Sequence, residues 1–178
     1  VALITLPGHS GLNAARNAGI RAARSDLLLL IDQDVDAPPG WLEAMLEGAQ
    51  ATPEAEVFGG PIRGRLEGGP RACGREPPPI TTLDGGPADR DIPLVWGANM
   101  AIRRSALERV GTFDEDLFGR GNEDEWELRY AAGGGRIRYL ARAGLDHRRA
   151  PADSRLRVLA RAAYGQGRDA QALSLIHI

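Results

Sequence analysis

Five consecutive aliphatic residues, Leu27-Leu28-Leu29-Leu30-Ile31, run directly into Asp32-Gln33-Asp34. An unbroken apolar run of that length predicts a strand buried on both faces, as in a parallel sheet covered by helices. That points to the α/β class and puts both carboxylates at the C-terminal edge of the sheet, where open α/β folds bind ligands. Two Asp one residue apart on an exposed turn offer hard oxygen ligands to a divalent cation, Mg2+ or Mn2+, and such a cation can carry a diphosphate. Asp after a strand also serves as a turn residue or helix cap, so the pair alone does not decide. A calcium-binding EF-hand loop is rejected, although Asp32, Asp34, Asp36 and Glu43 occupy four of its ligand positions. Ala37 stands where that loop needs Gly, Pro38 and Pro39 follow, and the preceding segment reads as a strand rather than a helix.

The flanking pattern extends the α/β reading. Residues 1–6 read as a strand, 7–11 as a loop, and 12–24 as a helix with a small-residue face of Ala14, Ala15, Ala18 and Ala22. Pro38-Pro39 opens a helix over 39–51, whose Trp41, Leu42, Met45, Leu46 and Ala49 recur at core spacing. Val57-Phe58 is a short strand. This alternation predicts a parallel, doubly wound sheet. Six of the chain's 12 prolines then crowd into residues 63–93, which predicts a long irregular segment, a lid or a locally disordered stretch. Strands are expected near 94–96 and 99–103, a helix over 105–110 ended by Gly111, and a strand over 143–146.

A chain of 178 residues suffices for one domain that buries ~70% of its unfolded surface. The net charge of −2 gives no global basic field for nucleic acid. All 22 basic residues are Arg, which together with abundant Ala, Gly and Pro reads as coding bias. Cys73 is the single cysteine, so no internal disulfide forms and a reducing, cytoplasmic compartment fits. No apolar run approaches the ~20 residues of a membrane span. The chain begins inside an apparent strand. Its last six residues, Leu173-Ser174-Leu175-Ile176-His177-Ile178, match the translation of a transposon-end sequencing adapter. The expectation is a partial domain over 1–172 and a non-native tail over 173–178; the alternative for the tail is an ordinary apolar strand.

A second acidic segment follows a Gly-rich loop: Asn122 is positioned to cap a helix running to Ala132, with Glu125 completing a capping box, and Glu123, Asp124, Glu125 and Glu127 cluster at its start. Acids there stabilise the helix dipole, but four close negative charges also favour proton uptake, which suits a general base. His147 follows the 143–146 strand and precedes Arg148-Arg149. Imidazole ligates transition-type cations, and arginines suit a diphosphate. His9 is read as a loop residue.

Taken in series, GLNAARNAGIRAARSDLLLLIDQD, WGANMAIRRSALERVGTFDEDL, GRGNEDEWELRYAAGGGRIRYL and the downstream His resemble a family 2 glycosyltransferase of the GT-A fold over residues 12–147. The resemblance implies an α/β, GT-A-like, Rossmann-like doubly wound mixed sheet, incomplete at the N-terminus because the base-contacting first half would precede Val1. It implies metal binding by Asp34, Asp32 and His147, with Asp32 also facing the donor's ribose or sugar. It further implies a catalytic base at Asp124 paired with Glu123, nucleotide contacts from Asn13, Arg16 and Asn17, and a sugar and acceptor pocket lined by Trp96, Gly97 and Asn99. The implied activity is metal-dependent (Mn2+ or Mg2+) inverting transfer from a nucleotide-diphosphate sugar to an acceptor hydroxyl, in bacterial surface polysaccharide or glycoconjugate synthesis. The expected partners are that donor and a carbohydrate or lipid-linked acceptor, with peripheral association at the inner face of the membrane for the full-length protein. The Q-x-x-R-W sequence of processive synthases is absent, which favours a non-processive transferase. Rival readings are a nucleotidyltransferase, which would want a basic phosphate loop early in the chain, and a non-catalytic nucleotide-sugar or carbohydrate binding module.

Overall fold

The computed structural model of the chain describes residues 2–8, 10–67, 81–117 and 122–176; His9, Cys73, residues 118–121 and His177 lie outside them. In chain order the elements are α1 (Gly11–Ala22), β1 (Leu27–Ile31), β2 (Val35–Asp36), α2 (Trp41–Ala51), β3 (Val57–Gly59), β4 (Ile62–Leu66), β5 (Arg90–Asp91), β6 (Asn99–Arg103), α3 (Arg104–Val110), α4 (Asn122–Ala132), β7 (Ile137–Tyr139) and β8 (Leu145–Arg149). A 3-10 turn at Pro151–Ser154 then leads into α5 (Leu156–Ile176).

Two sheets organise the molecule. The larger has the order β1-β6-β3-β7-β5 and the smaller β2-β8-β4. Strands β1 and β3 run the same way, as a crossover through α2 requires, but antiparallel β6 is inserted between them; β3 and β7 pair in parallel. The sheet is therefore mixed, as the family resemblance implies, and not the parallel sheet that the strand–helix alternation alone predicts. Alternation along the central strands divides the core into two layers. Val57, Met100 and Ile102 face Ile20 of α1, Leu107 of α3, and Trp126 and Tyr130 of α4, whereas Phe58 and Ala101 face Trp41, Met45 and Ala49 of α2. Each fully buried large side chain among these contributes about 1.5–3 kcal/mol by leaving water.

Several sequence expectations need correction. Residues 2–6 form no strand: Leu3 is 93% exposed, and no ladder pairs with them among the described residues. An apolar run without a hydrogen-bonding neighbour gains nothing from extension. Among the described residues strand β1 pairs only with β6, and its last residue Ile31 is exposed rather than buried on both faces. Residues 94–96 are loop; Val95 is buried because its N–H donates to the Glu127 carboxylate at 2.9 Å instead of to a strand. Residues 63–66, expected to be irregular, complete β4. The strand predicted over 143–146 lies at Leu145–Arg149. Leu42 and Leu46 of α2 and Ala15 and Ala22 of α1 face outward. Glu125 does not close a capping box: its carboxylate takes Arg129 Nε at 2.5 Å, one helical turn on. Residues 173–176 end a helix rather than forming a strand. Gly111 and Gly134 do stop their helices, at φ 91° and 78°, where a side chain would be strained.

Candidate metal and acid site

The short β2–β8 ladder brings the first cluster together. Val35 lies opposite His147, and the Arg148 N–H donates to the Asp34 carbonyl at 2.8 Å. Asp34, one residue before β2, therefore meets the imidazole, with Oδ1 3.2 Å from His147 Nε2. Ligand atoms of Asp32, Asp34 and His147 all lie within 4.8 Å of one another. His147 is buried, and its Nδ1 stands 3.4 Å from the Thr81 carbonyl. A carbonyl only accepts, so the tautomer that uses this contact as a hydrogen bond is the one with its hydrogen on Nδ1, and the contact then orients the ring. In the neutral ring Nε2 then presents a lone pair towards a carboxylate oxygen. Two acceptors at 3.2 Å repel unless a proton or a cation lies between them. Two carboxylates and one imidazole make a donor set that fits Mn2+ or Mg2+. Asp32 shows the same electrostatic stress: burial raises its pKa, Arg16 opposes this, Asp34 and Glu123 add to it, and His147 offsets part.

The second cluster starts α4. Glu123 accepts the Gly97 N–H at 3.2 Å through one oxygen and pairs with Arg16 at 3.3 Å through the other. A Cβ at Gly97 would run into the Arg16 guanidinium, so a larger residue there would displace that side chain from its present position. Glu127, one turn on, is fully buried. One of its oxygens holds the Val95 N–H, the other has no hydrogen-bond partner among the described residues, and burial pushes its pKa well above the usual carboxylate range. Asp124 Oδ1 is likewise buried without a partner there, and burial, then the charge of Glu123, push its carboxyl up to about 6 against the pull of Arg16. The charge of Glu123 acts on Asp32 as well as on Asp124, so Glu123 links the two clusters.

The amides expected at the ligand make hydrogen bonds within the chain. Asn13 Nδ2 donates to the carbonyls of Asp114 and Asn122, and Asn17 exchanges hydrogen bonds with both the N–H and the carbonyl of Phe113. They hold the approach to α4 against α1. Asn99 accepts Trp41 Nε1 at 3.0 Å and donates to the carbonyls of Pro61 and Ala143, joining both sheets. Arg16 donates to Asn13, Asn122 and Glu123. Trp96 donates its indole N–H to the Thr82 carbonyl, beside the residue that orients His147. Two residues singled out in the sequence make contacts that it does not show. Glu127 lies one turn after Glu123 and reaches Val95, while Arg149, two residues after His147 on the same strand face, comes 3.8 Å from Asp34 Oδ2.

The family model described as glycosyl transferase family 2 matches residues 1–111. This chain belongs to glycosyl transferase family 2. Within the family it is 32% identical over 152 residues to the pre-mycofactocin glycosyltransferase of Mycobacterium tuberculosis, in strains CDC 1551 / Oshkosh and ATCC 25618 / H37Rv; the match covers 80% of this chain and 31% of the relative. The chain thus spans about a third of the length of these curated relatives. Among solved structures it is similar to GalNAc-T7, crystallised with UDP, GalNAc and Mn2+, with a TM-score of 0.61 at 17% identity over 79% of this chain and 31% of that one. It is also similar to S. aureus TarS, with a TM-score of 0.51 at 15% identity over 78% of this chain and 40% of that one. These likenesses establish the GT-A fold. No helix among the described residues is long and apolar enough to cross a membrane.

Proposed function

We propose that this family 2 domain belongs to a metal-dependent, inverting glycosyltransferase that moves a sugar from a nucleotide-diphosphate sugar to the hydroxyl of a carbohydrate or lipid-linked acceptor, within bacterial glycoconjugate or surface polysaccharide synthesis. The observation that carries the reading is the 3.2 Å approach of His147 Nε2 to Asp34, with Nδ1 engaged by the Thr81 carbonyl and Asp32 alongside. The UDP, GalNAc and Mn2+ in the crystal of the GT-A neighbour GalNAc-T7 support a cation and a nucleotide sugar for this chain as well. A divalent cation bound by Asp32, Asp34 and His147 would offset the charge that builds on a leaving diphosphate.

The chain's own residues supply the rest. The proton of the acceptor hydroxyl goes to a carboxylate at the start of α4. Asp124 is favoured for this role, because its raised pKa of about 6 and its unpartnered oxygen suit a base working near neutrality, with Glu123 beside it. A second reading gives the role to Glu123, whose carboxylate Arg16 and the Gly97 N–H hold in place. A bond broken on one face and a hydroxyl attacking from the other is the inverting geometry that two separate clusters serve. Membership of a transferase family weighs against the nucleotidyltransferase reading. A binding module without chemistry has no use for a buried acid cluster beside a metal-ligand set. The test is a hydrolysis and transfer screen of nucleotide-diphosphate sugars with Mn2+, on a protein that carries this domain in its full-length setting. Metal-dependent release of nucleoside diphosphate from one donor class is expected; release that is unchanged by a chelator would overturn the metal-dependent reading.

A further inference from the structure

Four arginines lie on the small sheet, and their partners divide them. Arg63 and Arg65 of β4 both bind the Asp146 carboxylate, at 2.7 and 2.9 Å. Arg148 points to the outer edge, 3.6 Å from Asp36 and 3.7 Å from Glu67. Arg149 alternates to the other face of β8, the face of Leu145 and His147, and its guanidinium stands 3.8 Å from Asp34 Oδ2 with a half-buried side chain. Its ion partner is therefore a carboxylate of the metal-ligand set.

We propose that Arg149 is a phosphate-binding residue of this site, which turns from Asp34 to the diphosphate of a nucleoside diphosphate when a divalent cation takes the Asp34 carboxylate. This rests on the reading of Asp32, Asp34 and His147 as metal ligands. Charge bookkeeping supports it: the two Asp carboxylates balance one divalent ion, so the diphosphate's own negative charge needs a further cation. Arg16 is committed to Asn13, Asn122 and Glu123, and the other arginines of the small sheet face away. Arg149 is the basic side chain that already touches the cluster. Its pair with Asp34 is long and partly solvated, a contact of small net worth that is readily exchanged. A guanidinium also presents two parallel N–H groups, which match adjacent phosphate oxygens.

The experiment compares wild type, Arg149→Gln and Arg149→Lys by calorimetry. Mn2+ is titrated alone, and UDP, GDP and ADP are then titrated into the Mn2+-saturated protein. Arg149→Gln should bind Mn2+ at least as tightly as wild type, because a positive charge beside Asp34 is gone. It should bind the best of the three nucleotides about 10-fold more weakly or worse. Arg149→Lys should recover part of the loss, since it restores charge without the fork. Circular dichroism of each variant checks that it is folded, and Arg149→Lys serves alone if Arg149→Gln is not. Nucleotide affinity within twofold of wild type in a folded variant, with Mn2+ binding intact, overturns the role of Arg149 and leaves the metal site standing. Failure of Mn2+ to bind wild type overturns the metal reading and this one with it; failure of all three nucleotides to bind Mn2+-loaded wild type also overturns it.

Discussion

The turn after β1 and the first turn of α4 are built from the same chemical group and held in opposite ways. Asp34 is substantially exposed, and its oxygens face an imidazole and a guanidinium, groups that a cation can displace or join. Glu123, Asp124 and Glu127 sit against the core, where they hold backbone N–H groups or have an oxygen with no hydrogen-bond partner among the described residues. Low dielectric raises proton affinity, whereas access to solvent and convergent lone pairs favour metal binding. Partners distinguish the two acidic clusters, an imidazole and a guanidinium at one and backbone N–H groups or an unpartnered oxygen at the other; burial alone does not, since His147 is buried and burial raises the pKa of Asp32 as well.

The sharpest way to break this contrast is Asp124→Asn in the full-length protein. Turnover should fall by about 10²–10⁴ while Mn2+ affinity stays at the wild-type level. If Glu123→Gln gives the larger loss instead, the proton acceptor is Glu123. Asp34→Ala should act on the other side, weakening Mn2+ binding roughly 10–100-fold or more; an unchanged isotherm would remove the open cluster from metal binding.

Asn99→Ala separates bracing from ligand contact. Removing that amide strands the Trp41 indole N–H and the carbonyls of Pro61 and Ala143, so a loss of about 1–3 kcal/mol in denaturant unfolding is expected, with nucleotide affinity preserved. A stable variant with weakened nucleotide binding would return Asn99 to the pocket.

The smallest effect is in the pH dependence of stability. Asp124 binds its proton more tightly folded than unfolded, so its stabilising contribution is present below the ordinary pKa of 3.8 and is lost as pH rises through about 6. Asp124→Asn should therefore melt above wild type in mildly alkaline buffer and converge with it in acid. Parallel melting curves across that window would show that Asp124 is not under this burden.

The contrast also explains what was legible in the residues themselves. The apolar run of β1, the periodic face of α2 and the acidic start of α4 each announce themselves locally, and Asp32, Asp34 and His147 are named by order and chemistry alone. The device that joins them is a two-residue strand, too short to carry any pattern, which pairs Val35 with His147 more than a hundred positions away. Val95 looked like a strand residue because it is apolar and flanked by apolar neighbours, but its backbone partner is a side chain on α4. Asn13, Asn17 and Asn99 are expected at the ligand from the family resemblance, and residue identity shows hydrogen-bonding capacity but not the partners each amide takes within the fold. Here the partners are backbone groups distant in sequence.

The central claim is that one divalent ion sits among Asp32, Asp34 and His147. Anomalous diffraction near the manganese absorption edge, from crystals soaked in Mn2+, tests it most directly. The account predicts a single strong peak in contact with Asp34 and His147 Nε2; a peak on other side chains, or none with both residues well ordered, would contradict it.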